Sequence, residues 1–212
     1  MTTITLLDPS NAGQVGQFLR IYQSSIEPSE QKTAAQMAAL VADARYRILV
    51  SLENGTVSGF AMSFVPSGAQ FVLLEYMAVD AELRSCGIGA ALLEAAADAA
   101  LQRSVPLLLE VDQPGSPVSP GNDPARRLRF YAERGCNRLV GLDYILPLAT
   151  NGTPPAMWLL LRGRTRALSH VEIRDWLTTL YVEVYAQSAD DPRIDAMLSG
   201  AGDRDFALAP VP

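Results

Sequence analysis

The 212-residue chain is poor in cysteine and histidine and has no long apolar run. Its two cysteines, Cys86 and Cys136, stand far apart. That is too few for a disulfide framework, and neither belongs to a C-x-x-C pair that would ligate zinc, so no metal is expected. The single histidine, His170, leaves no Cys–His signal for covalent catalysis. The longest apolar candidate, residues 90–101, is broken by Glu94 and Asp98. It falls short of the roughly 20 residues a membrane span needs. Positive charge is in deficit: 17 Lys and Arg against 23 Asp and Glu give a net charge of −6 and a pI of about 4.8. A chain without a basic surplus has no general affinity for nucleic acid or anionic lipid, so neither partner is expected. A cationic or amine substrate is compatible with this balance. Residues 1–7 alternate and run into Asp8-Pro9, with neither a basic n-region nor an apolar h-region. A reducing, cytoplasmic setting is the expectation.

What is present suffices for a packed core. Hydrophobic residues make up 49% and charged residues 19%, with mean hydropathy +0.11, which excludes wholesale disorder. Periodicity predicts a strand over 2–7, then a helix capped by Ser10 or Asn11 with Val15, Phe18, Leu19 and Tyr22 on one face. A second helix capped by Ser29 carries Met37, Leu40 and Val41. Strands over 46–52 and 56–65 flank Asn54-Gly55, a type I′ hairpin signal. The run 70–79 reads as a strand buried on both faces. A helix over 87–102 follows, then a strand over 105–111 and a Pro/Gly/Ser-rich loop over 113–121. Asp123-Pro124 opens a helix ending at Gly135. Strands over 138–146 and 157–162 flank a turn at 151–155. Ser169 caps a final helix over 171–187, and the tail from Asp203 reads as loose. The order is that of an α/β fold with a mixed sheet flanked by helices and a C-terminal helical extension.

The sharpest local feature runs from Met77 to Ala90. A buried strand ends at Ala78-Val79, a short turn follows, and a helix opens at Gly87-Ile88-Gly89. The first amides of a helix lack partners within it, and the dipole adds positive character there, so the turn suits an anion. Glycine lets a diphosphate approach the backbone; alternatively the pair serves only close helix–strand packing. No GK[ST] follows and the third glycine of a Rossmann fingerprint is missing, so neither phosphate motif is complete.

These residues resemble the acyl-CoA-binding segment of the GCN5-related N-acetyltransferase (GNAT) superfamily, in which an A-V strand end leads to R/Q-x-x-G-x-G/A. Ala78-Val79 and Arg84-Ser85-Cys86-Gly87-Ile88-Gly89 match at the family's spacing. The strand Leu107–Val111 and the helical run Arg126–Gly135, with Phe130-Tyr131, resemble the family's later motif. The resemblance covers residues 2–163 and implies an acyltransferase domain over 1–163, with 164–212 packed on its core or forming a homodimer arm. It implies a mostly antiparallel central sheet and acetyl-CoA as cosubstrate. Met77, Ala78 and Val79 would pair with the pantetheine arm. The amides of Ser85, Cys86, Gly87, Ile88, Gly89 and Ala90 would hold the diphosphate, with Arg84 beside it. Tyr131 would protonate the leaving thiolate, and Glu75 or Glu110 would be the base. Cys86 stands where a glycine or basic residue is usual. Pro124 occupies a position where many members have asparagine, with Asn122 two residues earlier.

The implied function is transfer of acetyl from acetyl-CoA to a primary amine, on a small molecule or a peptide, by direct attack. A carboxylate takes the amine's proton and backbone amides polarise the carbonyl. The alternatives are a non-catalytic acyl-CoA binder on the same fold and an unrelated phosphate-binding α/β protein. Each candidate also has a plain structural role. Glu75 and Glu110 could pair with arginines in a buried run. Tyr131 could be a core tyrosine. The arginines at 126, 127, 129 and 134 read as a solvated helix face, and His170 as a surface residue.

Overall fold

The computed structural model describes residues 2–68, 70–114, 123–147, 156–200 and 204–212. Most of the loop read over 113–121, Asn122 and the turn read at 151–155 lie outside these residues. The chain divides into two compact units, Met1–Ser104 and Val105–Pro212.

In the first unit, β1 (Thr3–Leu6), β2 (Tyr46–Glu53), β3 (Thr56–Phe64) and β4 (Val72–Val79) pair antiparallel in chain order. The β2–β3 hairpin turns at Asn54 and Gly55, with φ of 50° and 81°, as the dipeptide predicts. Helix α1 (Ala12–Ser25) is capped by Asn11, whose side chain accepts from the Gln14 amide. It lays Phe18, Ile21 and Tyr22 on one face of the sheet, where the Phe18 ring meets Phe60 edge-on at 4.8 Å. Burying rings of this size contributes about 1.5–3 kcal/mol each. Helix α2 (Ala34–Ala42) begins later than expected. Thr33 and Gln36 form a reciprocal capping box, while Pro28–Glu30, including Ser29, makes a separate 3₁₀ turn.

Helix α3 (Ile88–Leu101) buries Ile88, Leu92, Leu93, Ala96 and Ala100. It packs where β3 carries Gly59. A Cβ there would lie 2.9 Å from the Ala78 carbonyl oxygen and 3.1 Å from Leu92. Glycine at 59 thus seats α3, and the start of α3 fixes the turn that follows β4. The β2–β3 register slips beside Gly59: Ser51 pairs with Gly59 and Leu52 with Val57, leaving Ser58 as the extra residue. Strand β4 is buried from Val72 to Leu74 and half-buried from Glu75 onward, so the expectation of burial on both faces holds only for its first part.

In the second unit, the strand order is β5 (Leu107–Asp112), β8 (Ala156–Arg162), β6 (Asn137–Leu139) and β9 (Leu208–Pro210), with β7 (Tyr144–Ile145) also on β8. All described pairings in this unit are antiparallel. The single strand read over 138–146 is two short strands, divided where Gly141 takes φ 88°. Helix α4 (Pro124–Ala132) starts at the Asp123 cap as read and buries Leu128 and Tyr131.

The C-terminal stretch departs most from expectation. The final helix is α5 (His170–Thr179), which passes into a π-helical turn over Leu180–Val184. A further helix, α6 (Pro192–Ser199), is capped by Asp191. The tail is not loose: Phe206 is 1% exposed and bridges Leu168, and β9 joins the sheet against β6. His170, read as a surface residue, is half-buried. Its ring lies 4.9 Å from that of Phe206, and its Nε2 is buried.

Candidate functional site

Strand β4 ends at Val79. The Asp80 amide donates to the Ser58 carbonyl at 2.9 Å, and the Asp80 carboxylate caps the 3₁₀ turn Ala81–Leu83 by accepting from Glu82. Arg84 then takes an extended conformation, Ser85 a φ of 66° and Gly87 a φ of 82°, and α3 begins at Ile88. The left-handed conformation at Gly87 costs a residue with a Cβ about 1–2 kcal/mol. No side chain caps α3, and its first turn carries no acidic residue. The first helical amide with a backbone acceptor is that of Ala91, bonded to the Gly87 carbonyl at 3.1 Å. Among the described residues, nothing accepts from the amides of Ser85 to Ala90. Arg84, Ser85, Cys86 and Gly87 are exposed around them. Unpaired amides at a helix start, together with the helix dipole, are of a kind that suits an anion. Cys86 is a free thiol whose sulfur lies 3.7 Å from the Arg84 carbonyl oxygen.

Along β4, Met77, Ala78 and Val79 pair with Ala61, Phe60 and Gly59 of β3. The register then slips: Tyr76 faces Met62 but Leu74 faces Ser63, so Glu75 is the extra residue of a β-bulge. A bulge turns a side chain away from the alternation of its strand. Here Glu75 and Tyr76 both engage the segment joining α1 to α2. The Tyr76 hydroxyl donates to the Glu30 carbonyl at 3.1 Å, and the Lys32 amide donates to the Tyr22 hydroxyl at 2.8 Å. The rings of Tyr22 and Tyr76 meet edge-on at 5.3 Å.

The Glu75 side chain is 6% exposed, and its Oε1 lies 3.3 Å from the Lys32 ammonium. Its Oε2 is buried with no hydrogen-bond partner among the described residues. Burial pushes this carboxyl above the usual range, and the Lys32 charge only partly offsets it. Burial, reinforced by the Glu75 charge, also raises the phenols of Tyr46 and Tyr76, which therefore stay neutral. The partner of Glu75 is thus a lysine rather than an arginine. Sequence reasoning missed Lys32 and the three tyrosines. The one signal available was that Lys32 is the only lysine in the chain.

In the second unit, Glu110 sits mid-strand opposite Leu159. Its carboxylate accepts from the Tyr144 hydroxyl and, at 2.5 Å, from the Tyr185 hydroxyl. The Tyr181 hydroxyl donates to the Ile145 carbonyl at 2.6 Å. Glu110 therefore ties β5 to β7 and to the end of the π-helical turn. Tyr131 is 7% exposed. Burial pushes its phenol up to about 12, against the opposing charge of Arg127. Arg127 pairs with Asp112 at 3.2 Å, and Arg134 stacks over Phe130 at 4.0 Å, while Arg126 and Arg129 are exposed. Among the described residues, no cluster of His, Cys, Asp or Glu could hold a metal ion. No described helix is long and apolar enough to cross a membrane.

No curated protein matches this chain in sequence. Solved structures do match its fold. A putative GNAT-family acetyltransferase from Bacteroides thetaiotaomicron aligns with TM-score 0.70 and 19% identity over 88% of this chain and 99% of its own. The ribosomal-protein-S18-alanine N-acetyltransferase of Escherichia coli aligns with TM-score 0.57 and 22% identity over 76% and 92%. An aminoglycoside 6'-N-acetyltransferase solved with coenzyme A aligns with TM-score 0.58 and 17% identity over 76% and 96%. At such identities these neighbours speak for the mixed, mostly antiparallel α/β fold. The sequence profile of the acetyltransferase (GNAT) family matches residues 16–137, more than half the chain, and includes β4, the amide-bearing turn, α3 and α4. This chain belongs to the GNAT acetyltransferase family.

Proposed function

We propose that the protein is an acetyl-CoA-dependent N-acetyltransferase that passes the acetyl group directly to a primary amine. One observation carries this reading: the run of acceptor-free amides from Ser85 to Ala90, which leads from the exposed turn after β4 into the head of α3. These amides and Arg84 suit the diphosphate of the coenzyme. The backbone of Met77, Ala78 and Val79 would bind the pantetheine arm, as the family resemblance implies. Bound acetyl-CoA supplies an acyl group already activated as a thioester. The chain's own work is to orient it and to manage protons. An alkylamine has a pKa near 10.4 and must lose a proton before it attacks. Glu75 is the base we assign, because its buried, raised carboxyl accepts a proton more readily than an exposed one. Glu110 is committed to two phenols and is better suited to holding the C-terminal segment. Tyr131 keeps its proton well above neutral pH. We assign it, on the family resemblance, the protonation of the departing thiolate. The acceptor is a small-molecule or peptide amine. Fold neighbours named for acting on a ribosomal protein and on aminoglycosides are compatible with either.

One observation favours a second reading, a non-catalytic acyl-CoA binder: the candidate base already holds an ammonium group of its own chain. A panel of amines, with acetyl-CoA and thiol release as the readout, separates the two. Release with at least one amine is expected. Glu75→Gln should slow it on the order of a hundredfold while leaving coenzyme affinity unchanged. Coenzyme binding with no release across the panel would establish the binder instead.

A further inference from the structure

Sixteen of the seventeen basic side chains are arginines, and Lys32 alone is a lysine. A guanidinium stays charged in proteins and is no acyl acceptor here, whereas a lysine carries a primary amine that can take an acyl group once a base removes a proton. The chain's one primary side-chain amine is therefore the one placed against Glu75, at 3.3 Å. It does not reach there from a loose loop. The Lys32 amide is held by the Tyr22 hydroxyl, and the Glu30 carbonyl by the Tyr76 hydroxyl. The Gln31 side-chain amide donates to the Ile26 and Gln23 carbonyls at 2.7 and 3.0 Å. The Lys32 side chain is 24% exposed, so most of it packs against the protein beside Glu75. An ion pair whose carboxylate side chain is only 6% exposed is a costly arrangement if its only purpose is stability. Amine and carboxylate stand as an acceptor and its base would.

We propose that Lys32 is a self-acetylation site, with the Lys32 amine as acceptor and Glu75 as its base. The inference rests on the acyltransferase reading. Glu75 takes one proton from the ammonium. The Nζ lone pair forms the N–C bond to the thioester carbonyl carbon, and the C–S bond breaks with its electron pair on sulfur. The second amine proton goes to that sulfur, giving free CoA thiol, and the proton on Glu75 returns to solvent. The product is a neutral amide at position 32. Its N–H can still donate to Glu75, but the positive charge is gone, so modified and unmodified chains differ in what faces the base.

The test is intact-mass measurement of the purified chain incubated with acetyl-CoA, followed by peptide mapping after cleavage at glutamate. A single acetyl group on Lys32 is expected, formed with a rate constant independent of protein concentration. Glu75→Gln should slow it on the order of a hundredfold with the coenzyme-induced melting shift intact. Lys32→Arg should take no acetyl at this position. The proposal falls if Lys32 stays unmodified while the coenzyme binds. It also falls if Glu75→Gln is modified equally fast, or if the rate constant rises with protein concentration. Thiol release with external amines from a chain whose Lys32 stays unmodified would overturn this inference alone. Absence of any coenzyme binding would overturn the acyltransferase reading and this inference with it.

Discussion

Gly87 concentrates the case for the anion site in one residue. Its φ of 82° lies in the left-handed region, yet no atom lies within 4 Å of where a Cβ would stand. A side chain here would fit the free protein's space and still strain its backbone. Gly87→Val is therefore expected to weaken coenzyme binding about fivefold to thirtyfold, because binding must restore a left-handed turn that costs a β-carbon residue about 1–2 kcal/mol. Gly87→Ala should lose most of the same affinity. Calorimetric titration with coenzyme A reads both, and full affinity in either variant would remove the turn from the binding site. This residue was legible from sequence because its reason is local: a strand end, a short turn and a glycine pair open an apolar helix. The partner of Glu75 was not. A charge inside an apolar run announces that some partner exists, but the bulge that re-aims Glu75 depends on the register with β3, and Lys32 lies 43 positions away in sequence.

Among the elements, α5 offers the clearest electrostatic test. Ser169 and Glu172 form a capping box, and Glu172 also takes Arg164 at 2.8 Å and Arg166 at 2.7 Å. Burial alone would raise the Glu172 carboxyl. Hydrogen bonds from Arg166, the Ser169 amide and Arg164 outweigh it and hold the pKa at about 2. A carboxyl depressed in the folded state stabilises the fold above its ordinary range and loses that effect as pH falls toward 2. Glu172→Gln is thus expected to lower the urea midpoint at neutral pH, and the gap from the parent chain should close between about pH 4.5 and 2. A gap that persists at pH 2 would contradict the assignment. The α5 cap was readable in the sequence, whereas α6 was passed over although Asp191-Pro192 repeats the cap signal of Asp123-Pro124, with Ile194, Met197 and Leu198 at helical spacing. Strand β9 carried no such signal. Three residues ending in proline form a strand only because Phe206 is anchored and β6 has an edge to offer.

For the whole molecule, the family profile runs from α1 through the start of β6 and so includes residues of both compact units. A ligand that binds only the folded state stabilises it by about 2.7 kcal/mol at a hundred times its Kd. In a chain of this size that corresponds to a rise in Tm of roughly 5–10 °C. Differential scanning calorimetry should show such a rise with saturating coenzyme A, and Gly87→Val should blunt it. No rise in the parent chain would exclude coenzyme binding. The general architecture was legible because hairpin turns and helix periods are local signals. The second unit was read less well because its sheet is assembled from distant strands.

That difference has a kinetic consequence. The first unit's sheet joins strands that follow one another in the chain, and the tightest of its connections is the two-residue turn Asn54-Gly55. The second must bring Leu107 to Arg162 and Asn137 to Pro210, closing long loops before any of that pairing is rewarded. During synthesis, the half bearing the free amides can reach its final form early. The half fastened by Phe206 and β9 waits for nearly the last of these residues to be made.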